Sequence, residues 1–150
     1  MSKLRTTAQR KADVVAALEQ NPRGWLATAN RSGRPHIIAL SSWWDGRRLV
    51  IATVGTSRTA RNLDATQVGR LAVGSPDDVI MIDADVSDSV LVADADSELR
   101  AGFAAAVGWD PAEEGADWRF FRLQPSGVQA YRGYGELQGR QVMRNGQWLS

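Results

Sequence analysis

Two apolar runs joined by a turn signal set the tightest limit on the fold. Residues His36 to Trp44 and Arg48 to Val54 flank Asp45-Gly46, a two-residue hairpin signal. A strand with one wet face alternates polar and apolar residues. Here Ile37 to Leu40 and Leu49 to Ile51 are apolar at every position, so both faces of each strand need cover. A sheet curled around a core covers one face. The other face must then meet another subunit or a bound ligand, which predicts a barrel rather than an open sheet.

Further strands are expected at Trp25 to Asn30, Val68 to Gly74, Val79 to Val86, Trp118 to Leu123 and Val128 to Tyr131, with Val90 to Ala93 continuing the sheet. Pro125-Ser126-Gly127 reads as a break between two of them. In Val79 to Val86 the aspartates Asp83 and Asp85 alternate with apolar residues, so they are expected on an outer, solvated face rather than around a metal. Residues 8–20 read as an amphipathic helix with Leu4, Ala8, Ala12, Val15 and Leu18 on one face, and Thr6 with Gln9 as its capping box. Residues 1–7 are expected to be loose. A second helix is expected at Ser97 to Val107, buried through Leu99, Phe103 and Val107 and stopped by Gly108. Asn145-Gly146 turns a last hairpin carrying Arg144 and Trp148. The fold class expected is mainly β, one antiparallel barrel with small helical covers, in a single domain over residues 1–150.

Several function classes are poorly supplied. Net charge is +1, too weak a field for a protein that holds nucleic acid through phosphates. There is no cysteine, hence no disulfide, thiolate metal site or cysteine nucleophile, and His36 is the only histidine. No metal site is expected. No apolar run spans a bilayer and no signal-peptide region opens the chain, so a cytoplasmic protein is expected.

One stretch carries chemistry. In IATVGTSRTARNL a strand ends at Gly55, Ser57 is placed as a helix N-cap, and Arg58 and Arg61 stand three apart on one face. Free backbone N–H groups at a helix start, beside hydroxyls and arginines, suit an anion such as a phosphate. The same residues also fit an ordinary cap with two solvated arginines. No side chain stands out as a catalytic acid or base; His36 reads as a structural or solvent-facing residue. Trp43, Trp44 and Trp148 are candidates to line a pocket, since they lie at strand ends or on a hairpin.

The order GWLATANRSGRP, HIIALSSWWDGRRLVIAT, GTSRTARNL resembles the pyridoxamine 5′-phosphate oxidase-like split β-barrel family of flavin and deazaflavin proteins. The ending FFRLQPSGVQAYRGYGELQGRQVMRNGQWL is similar to that of actinobacterial members. The resemblance implies an FMN-binding split barrel and a homodimer with cofactor sites at its interface. It also implies that Ile37, Ile38, Ala39, Leu40, Ser41 and Ser42 border the ring and its side chain. Ala52 and Thr53 would flank that chain, and Ser57, Arg58 and Thr59 would meet the phosphate. The classical oxidases carry basic residues where this chain has Ile37, Ser42 and Thr59, which argues against vitamin B6 oxidation here. Relatives of this kind imply coenzyme F420, with FMN as the alternative, and Arg61, Arg34 and Arg144 are available for the anionic tail of F420. The expected function is an F420-dependent oxidoreductase passing a hydride to a small planar or conjugated substrate. An FMN enzyme, a non-catalytic flavin, deazaflavin or haem binder, and a barrel acting through protein contacts stay open.

Overall fold

The computed structural model describes residues 4–150. Three helices, α1 (Thr7–Gln20), α2 (Arg58–Thr66) and α3 (Ser97–Val107), accompany eight strands. These are β1 (Arg23–Ala29), β2 (Pro35–Trp44), β3 (Leu49–Val54), β4 (Val68–Ser75), β5 (Asp78–Leu91), β6 (Trp118–Tyr131), β7 (Gln141–Arg144) and β8 (Gln147–Trp148). The strands are antiparallel in the order β3-β2-β1-β4-β5-β6-β7-β8, and β3 also pairs with β6. That closure makes a six-stranded barrel, with β7 and β8 extending from β6 where β3 has ended. No helix among the described residues is long and apolar enough to cross a membrane.

The two strands expected on either side of Pro125 are one. β6 runs unbroken because its register against β5 shifts at this point: Gly127 lies opposite Asp83 and Pro125 opposite Ala84, leaving Ser126 as the extra residue. A bulge is where a strand tolerates a proline, which has no N–H for the ladder. Similarly, β5 continues to Leu91 through a second shift between Val86 and Asp88. Asp83 does face outward, but the Arg70 guanidinium donates to both of its oxygens at 2.6 and 3.0 Å.

The barrel interior holds Leu26, Leu49, Ile51, Leu71, Ile82, Phe121 and Leu123, closed at one end by Val14 and Leu18 of α1. The opposite face of β3 and β6 carries a second cluster, Val50, Ala52 and Phe120, covered by Val92, Leu99 and Phe103 from the segment holding α3. So the second face of β3 is covered by its own chain. The expectation of an outside partner survives only for β2, where Ile37 is 61% exposed and, beside it on β1, Trp25 is 54% exposed. A Cβ on Gly102 would overlap the Trp43 ring, so glycine is what lets α3 lie directly on that indole.

The N-terminal helix buries a different stripe from the one expected. Arg10, Val14 and Leu18 are buried, while Leu4, Ala8 and Ala12 are exposed. The hydrophobic count is misleading because a charge goes inside. The Arg10 guanidinium donates to the carbonyls of Ala130, Glu136 and Gly139 at 3.4, 3.3 and 2.8 Å. Nor are residues 4–7 loose. Arg5 binds the buried Glu136 carboxylate through its guanidinium (2.6 Å from NH2) and its backbone N–H (3.1 Å), and Thr6 caps α1 in the expected capping box. Residues 1–3 of that stretch lie outside the described residues.

Candidate functional site

Strands β2 and β3 part company. They pair only from Ser42↔Ile51 to Trp44↔Leu49, while β2 pairs with β1 along Pro35 to Ser41. The ladder alternation says which groups this leaves open. Ser42 N–H donates to Pro22 O and Asn30 N–H to Arg34 O, so even-numbered β2 residues turn their backbone groups toward β1. The N–H and C=O groups of Ile37 and Ala39 therefore lie along the edge that β3 does not pair.

Side chains alternate too. Leu40 and Trp44 pack on the barrel core and Ser42 is buried, whereas Trp43 packs on the outer cluster. Hence Ile37, Ala39 and Ser41 share the outward face of β2, and Ala52 carries that face onto β3. Of the residues expected to border a ring, Ile37, Ala39 and Ser41 share this outer face, whereas Ala52, expected to flank the side chain, is 5% exposed beneath the second cluster. Leu40, Ser42 and Thr53 point inward, and Ile38, of the same parity, is 41% exposed on the stretch of β2 that β3 does not pair.

At the end of β3 the chain enters α2. Gly55 permits this close passage, since a Cβ there would sit 3.0 Å from the Asp117 carbonyl. Ser57 is the N-cap; its Oγ accepts the Ala60 N–H at 3.1 Å and shares a hydrogen bond of 2.9 Å with Thr53 Oγ1. When Thr53 donates in that pair, the Ser57 proton is left for a ligand. Among the described residues, the backbone N–H groups of Arg58 and Thr59 have no partner, as the geometry of a helix start requires. The Thr59 side chain is elsewhere: it is 1% exposed, and among the described residues its Oγ1 has no hydrogen-bond partner. Thr59 can meet a ligand at this helix end only through its backbone.

The β1–β2 turn folds over the start of α2 and encloses a cleft of about 640 Å³. Asn30, Arg31, Ser32, Arg34, Arg58, Arg61, Asn62 and Ala65 line it. Four of these are arginines and none is acidic. Among the described residues Arg34, Arg58 and Arg61 make no ion pair, and Arg31 has only a 3.4 Å bond from Nε to the Ala65 carbonyl. The one acid of α2, Asp64, is drawn off by Arg119 at 2.7 and 3.0 Å, which holds its carboxyl below the ordinary range. Asn62 is buried and anchored to Thr28 Oγ1 at 3.1 Å.

Of the three arginines available for an anionic tail, Arg34 and Arg61 share this cleft and Arg144 does not. It lies on β7 against Gln141, in a separate depression with Gln129 and Arg140. Trp43, Trp44 and Trp148 are packing residues, the last beneath the Lys11 ammonium at 5.2 Å. The indole that reaches the outward face of β2 is Trp109, whose Nε1 donates to Ser41 Oγ at 2.9 Å. Arg31, Asn62 and Trp109 were missed. Arg31 could have been found from the Arg-Ser-Gly-Arg turn, whereas Trp109 sits in a segment whose contacts no local pattern reports.

A family model described as pyridoxamine 5′-phosphate oxidase matches residues 11–131. No curated protein matches the chain. Among solved structures, an F420 reductase is 22% identical, with a TM-score of 0.63 over 75% of this chain and 93% of its own. An oxidase-related FMN-binding protein from Nostoc punctiforme is 17% identical, with a TM-score of 0.59 over 94% and 90%. A haem-storage protein from Vibrio cholerae is 18% identical, with a TM-score of 0.63 over 92% and 99%. At these identities the likeness is one of fold.

Proposed function

The chain belongs to the pyridoxamine 5′-phosphate oxidase family, and on that footing we propose that it is an F420-dependent oxidoreductase acting on a small planar or conjugated substrate. The observation that carries the choice of cofactor is the acid-free cleft with four arginines. A single phosphate needs one or two cations at a helix start. Arg58 and the backbone N–H groups of Arg58 and Thr59 supply that. Arg31 and Arg34 of the β1–β2 turn and Arg61 of α2 exceed it, and a cleft lined by all of them suits a longer polyanion, as the tail of F420 is.

The residues present fit such a group. The outward face of β2 carries small side chains at Ala39, which is exposed, and Ser41, which leaves room for a flat ring. The unpaired edge of β2 offers backbone donors and acceptors to the ring's polar rim. Preorganised N–H groups of this kind stabilise charge without reorganising. When bound, F420 supplies the hydride chemistry itself. The protein's part is to hold the anionic end in the cleft, orient the ring along β2 and exclude water from its outer face. Ile37 and Trp25 leave that face open and apolar within one chain. We assign its cover to a second copy of the chain, in a homodimer joined across β1 and β2.

Titration of the purified protein with F420 and with FMN tests the reading. F420 is expected to bind more tightly, with an affinity that falls steeply as salt is raised, because several exposed charges are engaged. Tighter binding of FMN overturns the cofactor assignment. Binding of haem alone would move the chain to the non-catalytic class that its haem-storing structural neighbour represents.

A further inference from the structure

We propose that Ser41 donates a hydrogen bond to an acceptor on the ring of the bound cofactor, and that Trp109 is the positioning residue that aims it. The inference rests on the cofactor reading above and goes beyond it by naming the side chain that reads the ring.

The direction of the Trp109–Ser41 bond is unambiguous. An indole N–H only donates, so Ser41 Oγ must accept it at 2.9 Å. The hydroxyl proton of Ser41 is left over, and among the described residues it has no acceptor. A hydroxyl that already accepts one hydrogen bond is a stronger donor of the next. Its location matters as much. Ser41 lies on the outward face of β2, one step beyond the last residue that pairs with β3, between the small side chain of Ala39 and the packed ring of Trp43. A flat ring lying over Ile37 and Ala39, both exposed on this face, would bring its rim to this donor, beside the unpaired N–H groups of the β2 edge. Both candidate cofactors carry carbonyl oxygens and ring nitrogens on that rim, so each offers an acceptor.

Trp109 is not free to turn away. Its ring stands edge-on to Phe103 at 5.9 Å and to Trp118 at 5.3 Å. The next residue, Asp110, accepts from Ala112 N–H at 3.0 Å and from Arg100 at 3.1 Å. The donor is therefore held before any ligand arrives, which keeps the ordering cost out of binding. A tether that merely ties the 108–117 segment to the barrel would make the same bond. The two roles differ in what the ligand senses.

The experiment compares the wild-type chain with Ser41→Ala, Ser41→Thr, Trp109→Phe and the Ser41→Ala/Trp109→Phe double variant. F420 and FMN are titrated separately, the visible spectrum of the bound cofactor is recorded, and the unfolding midpoint is measured without ligand. Ser41→Ala and Trp109→Phe are each expected to weaken the preferred cofactor by about five- to tenfold, the scale of one hydrogen bond to a neutral acceptor. Both should shift its absorption maximum in the same direction. The double variant should be no weaker than the weaker single one, because the two residues act in series. Ser41→Thr, which keeps a hydroxyl, should retain affinity. The assignment is overturned if Ser41→Ala binds and absorbs as wild type while Trp109→Phe lowers only the unfolding midpoint, which is a tether. It is equally overturned if Trp109→Phe alone weakens binding, which is a steric wall. Failure of the wild-type chain to bind either cofactor removes the cofactor reading and this inference together, whereas binding that ignores all four changes removes the inference alone.

Discussion

Replacing Glu136 by glutamine removes one charge and almost no volume from the junction between the chain's start and the 132–140 loop. The Glu136 side chain is 5% exposed. Its carboxylate takes the Arg5 guanidinium at 2.6 Å, the Arg5 backbone N–H at 3.1 Å and the Arg132 backbone N–H at 2.8 Å. Arg10 lies 3.9 Å away with its Nε buried and without a hydrogen bond. Removing the anion takes from Arg5 its shorter ion pair and leaves the buried Arg10 charge with carbonyl partners only. Breaking a buried pair costs about 3–5 kcal/mol, and the lower end applies here because Arg5 keeps Asp13 at 2.9 Å.

The pH dependence gives a second route to the magnitude. Hydrogen bonds from Arg5, working against burial, lower the Glu136 carboxyl from 4.5 to about 2. A depressed acid contributes stability above its unfolded value and loses it as pH falls through the folded one. The contribution is therefore full above about pH 4.5 and fades toward about pH 2. At ~1.4 kcal/mol per unit, reduced for solvent around the exposed Asp13, it amounts to about 2–3 kcal/mol. Urea unfolding of the wild type and Glu136→Gln at pH 7 and at pH 3 checks both. A gap of about 3 kcal/mol at pH 7, narrowed at pH 3, is expected. Asp64 and Asp88, also lowered by arginine partners, are common to both proteins and cancel in the difference. A gap below about 0.5 kcal/mol at pH 7, or one that ignores pH, would refute the reasoning.

Arg58→Ala should weaken cofactor binding about ten- to a hundredfold, the value of a charge-assisted contact, and leave the ligand-free unfolding midpoint unchanged; titration and thermal melting read the two. Gly102→Ala should cost about 1–3 kcal/mol in chemical denaturation, because the new methyl overlaps the Trp43 ring and α3 must lift. Ile37→Asp places a charge on the exposed apolar face of β2 and should convert a dimer to monomers in sedimentation at micromolar concentration, whereas a wild type that sediments only as monomer removes the dimer proposal.

The barrel was legible in the chain because its signals are local. Alternation, the Asp45-Gly46 turn and the doubly apolar β2 and β3 each depend on a few neighbouring residues. So did the N-cap at Ser57 and the pairing of Arg58 with Arg61 on one face of a short helix. Where a residue's place depends on distant partners, local reading failed. The apolar face expected for α1 did not include Arg10; three carbonyls from β6 and the loop after it make the interior its site. Pro125 looked like a break; the β5 register absorbs it as a bulge. The resemblance implied Thr59 at the phosphate, but its hydroxyl is buried, so it can meet a ligand there only through its backbone. The cleft is the largest case. Arg31 and Arg34 lie 24 or more positions before Arg58 and Arg61, and only the packing of α2 on β1, where Asn62 is anchored to Thr28, sets the β1–β2 turn over the α2 start. Residue types and periodicities decided which elements form; tertiary closure decided which arginines share a cleft, and which serine faces outward beside an indole.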